Sequence, residues 1–557
     1  MILNKTNLLV VSILFSSIFC SAQESSLKLT CKMGEYAVGF KTINTYDYSR
    51  SFLPIDGSET KKGEAIFRPM QISIWYPAKS NTESIKIKYE DYFYLQLLET
   101  GVVDLTTARK KKFVEKYIKI EPVIINKFYK ELNVEMNAIK NSSEANGSFP
   151  VIVYGPSWSS TSFENALMFE LLASHGYVVI SSPSIGPYTR NMSSGQLGIE
   201  AQARDLEFLI SEVRNIPNAD INKLTLMGFS WGGLSSVYTM ARNLSIDAWI
   251  GLDPSVHEAY GSFEESSYNN FSSFSSPSLF FHSIGFIGET PFYDKLIYSN
   301  AYMVNLPKIG HTDLASQFIK LSSVGGEIRN KAYNTICNYA LLFLDGVFKK
   351  EFDYDTMTEK VFNPTKGDTT FMSIKSKKAL PKPKVLCEKY KNENLMAFLN
   401  SKNIIGRYPK EAIQELIFLL YKKDFKNKAN DLMKWFTKEY DVNLYTKVLS
   451  FTTIDETVEM FVEIYKNNNE NCSFSYSELN HTAQLFSMGN RKREAIKYFD
   501  LNVKLRPDSY QAYFNLGIGY YRLNDFVNAK IHFNNCLNLN PDGRYSNLAN
   551  EFLKKCN

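Results

Sequence analysis

Short apolar runs separated by amphipathic stretches fill the chain from about residue 34 to 348. Gln71-Ile72-Ser73-Ile74-Trp75-Tyr76-Pro77 alternates as a strand does and stops at proline. The runs at 151–154, 177–180, 224–227, 248–252 and 279–281 are nearly unbroken apolar segments, the pattern of strands covered on both faces. Between them, 201–213 and 234–242 carry apolar residues at helical spacing. Strands alternating with helices predict an α/β fold, a mostly parallel sheet with helices on both faces. Residues 89–148 break the rhythm. They are rich in Tyr, Phe, Leu and Lys, with helical spacing at Phe113, Tyr117 and Ile118. They are expected to form a helical insertion, either a lid or an extra layer, and Arg109-Lys110-Lys111-Lys112 reads as a solvated helix face. Residues 349–388 are charged and carry Pro364, Pro381 and Pro383, which predicts a linker. From 389 to 557 the pattern is helical.

The helical part contains a repeat. Pro507 and Pro541, Ala495 and Ala529, and Phe499 and Phe533 recur at one spacing. Tyr513, Leu516, Gly517 and Tyr520 precede Ala529, Phe533 and Pro541 at offsets that resemble a tetratricopeptide repeat. Small residues let paired helices approach, aromatics fill the gap, and proline ends the second helix. The best repeats are 510–543 and, more weakly, 476–509, with Ala483, Phe486, Ala495 and Phe499. Leu416, Leu420, Ala429, Met433 and Phe436 suggest a degenerate unit. The resemblance implies an α-solenoid, whose concave face takes a protein or peptide partner, or which packs on the rest of the chain or on a second copy.

Composition narrows the class. The chain has 557 residues, 44% hydrophobic and 22% charged, ordinary for a folded protein of several domains. A net charge of +5 over that length gives no case for nucleic acid. Residues 1–22 are laid out as a signal peptide. Lys5 is the basic start, 8–19 the apolar run, and Cys20-Ser21-Ala22 the small-residue cleavage site. Cleavage near Ala22 leads over lipidation of Cys20, since bulky Phe19 precedes it, and over an uncleaved anchor. The expectation is an exported protein, periplasmic or secreted, without a transmembrane segment. Cys31, Cys337, Cys387, Cys472, Cys536 and Cys556 remain, with neither a Cys-x-x-Cys pair nor a histidine cluster. One or two disulfides and isolated buried thiols both stay open, and no metal or other cofactor is expected.

The chemistry concentrates at Gly228-Phe229-Ser230-Trp231-Gly232-Gly233, a G-x-S-x-G run between a strand pattern and a helix pattern. A sharp turn there would project the Ser230 hydroxyl, and Gly228 and Gly232 leave room for it. The helix that follows points its N-terminus at Ser230. Such a serine needs a base and an orienting acid, in the chain order Ser, then Asp or Glu, then His. Of the later histidines, His481 and His532 fall in the repeats, and His282 lies in an apolar strand run and reads as core. His257 closely follows the strand that carries the acid candidate. His311, in a loop after the strand-like 301–304, is the favoured base. Asp253, at the end of the strand 248–252, is preferred as the acid. Asp294 and Glu289, after the next strand, remain alternatives.

Several segments together resemble the platelet-activating-factor acetylhydrolase group of the α/β-hydrolases, which lies near the dienelactone hydrolases. They are 34–39, 74–77, 149–154, 171–177, 228–233, Gly251-Leu252-Asp253 and Gly310-His311, so the resemblance covers roughly 34–345. It implies an α/β-hydrolase domain over 23–348 with a triad of Ser230, Asp253 and His311. It also implies hydrolysis of carboxylic esters with short or oxidised acyl groups, without a metal. One oxyanion donor follows from position, the backbone N–H of Trp231. Matching the family along the loop after 151–154 puts the other at Trp158. Here the chain departs from the family, with Pro156-Ser157 where His-Gly is usual. A peptidase or acyltransferase on the same fold, or a catalytically dead binding protein, are the rival readings; the complete Ser, Asp and His set speaks against the last.

Overall fold

The computed structural model describes residues 27–52, 66–80, 85–99, 104–120, 125–243, 245–256, 271–284, 291–321, 326–363, 371–391, 393–401, 404–423, 476–488 and 491–556, with a few single residues between them. Residues 1–22, His257, Glu289, Cys472, Ala429, Met433 and Phe436 lie outside the described residues. The chain divides into two compact units, Met1–Leu380 and Pro381–Asn557.

The first unit is an α/β structure built on one sheet. Its strands are β1 (Ala37–Phe52), β2 (Ile66–Ala78), β3 (Lys86–Lys88), β4 (Glu135–Lys140), β5 (Phe149–Gly155), β6 (Val178–Ser181), β7 (Ala219–Phe229), β8 (Ala248–Leu252), β9 (Ser278–His282), β10 (Ala301–Asn305) and β11 (Ser373–Lys377). They lie in the order β11-β10-β9-β8-β7-β5-β6-β2-β1-β4-β3. The run from β6 to β10 is parallel throughout. The core of this unit follows from the period of two. Val151 and Val153 enter one apolar cluster with the helices Gly195–Glu212 and Trp231–Arg242. Ile152 and Tyr154 enter another, with the helices Ala166–Ser174 and Glu327–Phe348. Both faces being covered, the central strands are apolar at nearly every position, which is why they read as unbroken runs. The chain passes from β5 to β6 on one side and returns to β7 on the other. That reversal opens a crevice at the carboxyl ends of β5 and β7.

Two expectations need correction. Residues 89–148 are helical only in part. The helices Thr107–Ile120 and Ile125–Leu132 are followed by β4, which pairs with β1 in parallel. Only two residues of β4, Met136 and Ala138, are buried, so the strand is hard to see in a Lys-rich stretch. The insertion packs as a layer: Tyr92, Phe93 and Phe128 are buried in the core on the Ala166–Ser174 face. The second correction concerns 349–388. This stretch holds the helix Tyr354–Lys360 and the edge strand β11, antiparallel to β10, and the boundary between the units falls at Leu380. Lysines at Lys375 and Lys377 are the usual protection of an exposed edge, and they gave the strand the look of a linker. Among the described residues no helix is long and apolar enough to cross a membrane. Cys31, Cys337, Cys387, Cys536 and Cys556 are free thiols.

The second unit is helical. Its C-terminal part pairs Tyr476–Met488 with Lys492–Leu505 and Tyr510–Arg522 with Phe526–Leu539, and Arg544–Lys555 closes it. Ser509 and Asp525 cap their helices by accepting from Ala512 N and Asn528 N at 3.2 and 3.1 Å. A β-carbon on Gly517 would lie 2.6 Å from the Phe533 ring, so this glycine sets how closely the second pair packs. Phe533 is fully buried and stacks on Phe552 at 5.6 Å. Phe533→Ala should destabilise this unit by about 3–5 kcal/mol. A far-UV circular-dichroism melt of the full chain is expected to lose its helical transition at lower temperature, and an unchanged melt would contradict the packing described.

Candidate active site

Ser230 sits between the end of β7 and the helix Trp231–Arg242, with φ 53° and ψ −119°. A non-glycine residue in that region carries strain of about 1–3 kcal/mol, which the surroundings must over-determine. They do so by hydrogen bonds. Ser230 N donates to Leu252 O at 3.0 Å, and Ser230 O accepts from Ser255 N at 3.0 Å. The neighbouring glycines are required sterically. A β-carbon at Gly228 would meet the Gly232 carbonyl at 2.4 Å, and one at Gly232 would meet Gly155 O at 1.9 Å. The elbow is therefore pressed against the carboxyl end of β5. The Trp231 N–H heads a helix and has no intrahelical acceptor.

His311 begins a short turn, His311–Leu314, after β10. The Gly310 N–H donates to Asp313 Oδ2 at 2.9 Å, and Asp313 pairs with Arg329 at 3.0 Å, which braces the loop. The imidazole lies over Phe229, with ring centres 4.8 Å apart. Its Nε2 is 2.8 Å from Ser230 Oγ and its Nδ1 is 2.7 Å from Asp253 Oδ2. With the proton on Nδ1 held by Asp253, Nε2 is the acceptor facing the hydroxyl.

Asp253 follows β8 directly, with φ 42°. Its Oδ2 also accepts from Ser283 Oγ at 2.6 Å, and its Oδ1 lies 3.5 Å from His282 Nδ1. Burial pushes the carboxyl up, but hydrogen bonds from His282, His311 and Ser283 outweigh it and hold it well below the usual carboxylate range. Of the alternatives, Asp294 lies on the short helix Pro291–Lys295. His282 is buried in β9, as its apolar run predicts. Its position beside Asp253, and that of Ser283, had no signal in the sequence, because neither residue type nor spacing marks a side chain at a neighbouring strand end.

The opposite wall is the loop after β5. Trp158 is 43% exposed and meets Trp231 edge to face at 4.7 Å. Ser160 N donates to Ser157 O at 3.0 Å, closing a turn around Trp158 and Ser159. The Trp158 N–H makes no hydrogen bond to any described residue. Beneath the turn lies Glu164, fully buried. It accepts from Ser157 N and from Tyr154 Oη, each at 2.9 Å, and from Ser157 Oγ. Burial nevertheless pushes its carboxyl up. Sequence reasoning passed over Glu164. The available signal was isolation: Glu164 and Glu170 are the only charged residues between Phe149 and Thr189.

A tetratricopeptide repeat family model matches residues 510–542. No curated protein sequence matches the chain. Among solved structures, a ferulic acid esterase from Streptomyces cinnamoneus is similar, with 16% identity and a TM-score of 0.40 over 58% of this chain and 93% of that chain.

The depressed Asp253 carboxyl ties stability to pH. An unfolded aspartate titrates near 3.9, so the folded state binds this proton less readily than the unfolded chain. The resulting stabilisation is full above about pH 5 and is lost progressively as pH falls through the unfolded value toward the lower folded one. Asp253→Asn should flatten the fall of Tm between about pH 5 and pH 3 in differential scanning calorimetry; equal slopes for both proteins would contradict the environment described.

Proposed function

We propose that the chain is an exported serine hydrolase that cleaves carboxylic esters through an acyl-enzyme, with Ser230 as nucleophile, His311 as base and Asp253 as the orienting acid. The single observation that carries this reading is the hydrogen-bonded relay, 2.8 Å from Ser230 Oγ to His311 Nε2 and 2.7 Å from Nδ1 to Asp253. It begins on a serine held in a strained turn. The resemblance at 228–233, 251–253 and 310–311 to the platelet-activating-factor acetylhydrolase group supports an ester, and a short acyl group, over an amide.

In this mechanism His311 Nε2 takes the proton of Ser230 Oγ as the oxygen attacks the acyl carbon. Asp253 keeps the proton on Nδ1 and stabilises the imidazolium that forms. The negative charge on the former carbonyl oxygen meets the N–H groups of Trp231 and Trp158, helped by the helix N-terminus behind Trp231. His311 then gives its proton to the leaving alkoxide. A water, deprotonated by the same nitrogen, attacks the acyl-enzyme and releases the acid. The Pro156-Ser157 departure leaves the backbone donor at Trp158 in place, since every residue type except proline supplies an N–H. The repeats are proposed to bind a protein or peptide segment.

Ser230→Ala should lower kcat for short p-nitrophenyl esters by about 10⁴-fold or more, and Asp253→Asn by on the order of 10⁴-fold. Turnover of a matched peptide amide should be slower than that of the ester. Faster amide cleavage would make the protein a peptidase, and unchanged ester turnover in Ser230→Ala would remove Ser230 from its role.

A further inference from the structure

The turn that carries Trp158 is gripped from outside by a charged pair that the mechanism above does not use. Arg190 lies in the loop after β6. Its Nη1 donates to Ser159 O at 3.0 Å and to Ser184 O at 3.3 Å, and its Nη2 to Ser160 O at 3.4 Å. Its Nε donates to Glu99, which follows the helical turn Tyr94–Leu98 of the insertion. Ser159 has φ 53°, a left-handed conformation that needs holding, and its Oγ accepts from Met192 N at 2.8 Å. Ser160 O also accepts from Ser184 N at 2.9 Å. The two loops are thus laced together around Arg190.

Geometry says what this lacing controls. Ser157 O points into the turn toward Ser160 N. Across a trans peptide the N–H of Trp158 is antiparallel to that carbonyl, so it points out of the turn. Its direction is fixed only as well as the turn is fixed. Glu164 holds one end, at Ser157, and the Arg190 guanidinium holds the other, at Ser159 and Ser160. A guanidinium reaches several acceptors in one plane, which an ammonium cannot do. Glu99 is 2% exposed, and its Oε1 is buried with no hydrogen-bond partner among the described residues. Burial pushes this carboxyl up to about 7 against the pull of Arg190. Replacing a buried ion pair by apolar residues of similar volume is often neutral or stabilising, so the pair is weak evidence for a role in stability.

We propose that Arg190, anchored by Glu99 of the insertion, is a positioning residue that aims the Trp158 N–H at the oxyanion. The inference rests on the ester-hydrolase reading given above. It also gives the insertion a task, since one of its residues holds the residue that holds the turn.

The test uses the full chain and a short p-nitrophenyl ester. Arg190→Ala should lower kcat by about 10- to 100-fold while KM stays within about threefold, because a misdirected oxyanion donor weakens the transition state and not the ground state. Millimolar guanidinium should restore part of the lost kcat, and Arg190→Lys should stay impaired. Glu99→Gln should show the same signature in smaller degree, about threefold to tenfold in kcat. If Arg190→Ala melts like the wild type and keeps its kcat within about twofold, or loses only KM, the inference is overturned. If Arg190→Ala does not fold, Glu99→Gln decides, and an unchanged kcat there overturns the inference. Wild-type protein that neither turns over the ester nor reacts with a fluorophosphonate overturns the hydrolase reading, and this inference with it. Wild-type turnover with indifferent variants overturns the inference alone.

Discussion

The end of β5 and the first turn of the helix Trp231–Arg242 touch backbone to backbone, and the geometry of the site depends on that contact. Gly155 and Gly232 are the residues that allow it, since a single β-carbon on Gly232 would overlap Gly155 O. Three groups are brought to one place by this closeness. Ser230 is forced into its positive-φ turn, Trp231 begins a helix there, and the chain leaving Gly155 runs straight into the turn around Trp158. The contact falls at the reversal of strand order, where a parallel sheet opens a crevice by topology alone.

The acids of this region show how the surroundings, and not the residue type, set the charge. Asp253 and Glu99 are both largely buried, yet their carboxyls move in opposite directions. Asp253 is faced by His282, His311 and Ser283, which stabilise the anion. Glu99 has Arg190 and a second oxygen without a partner among the described residues, so desolvation wins. Glu164 collects several donors and is still pushed up, because it is wholly enclosed. A carboxylate fixed below the working range suits an orienting partner for imidazole. Carboxylates that burial pushes up, as at Glu99 and Glu164, are placed here to brace loops through their hydrogen bonds.

Much of the α/β unit was legible because its central strands are covered on both faces. The runs at 151–154, 224–227 and 248–252 lie in β5, β7 and β8, and the G-x-S-x-G spacing lands on the turn between β7 and its helix. The partnership of Ser230, His311 and Asp253 follows from strand ends, which a linear sequence reports in order. The sheet margins were not legible. β4 and β11 present Lys, Glu and Ser to solvent, so their two-residue period is drowned by polar composition. Arg190 and Glu99 lie 91 residues apart on separate loops. Neither has a neighbour in sequence that marks it, and only the folded chain pairs them. His282 was read as a core residue and is buried, but its approach to Asp253 depends on the packing of β8 against β9.

The most direct measurement is the site of covalent reaction. The full chain, treated with a fluorophosphonate and digested, should carry the phosphonyl group on the peptide containing Ser230 when mapped by tandem mass spectrometry, and prior incubation with a short activated ester should slow its appearance. A phosphonyl group on any other residue, or none at all on folded protein, would contradict the claim that this elbow presents a reactive hydroxyl to the imidazole of His311.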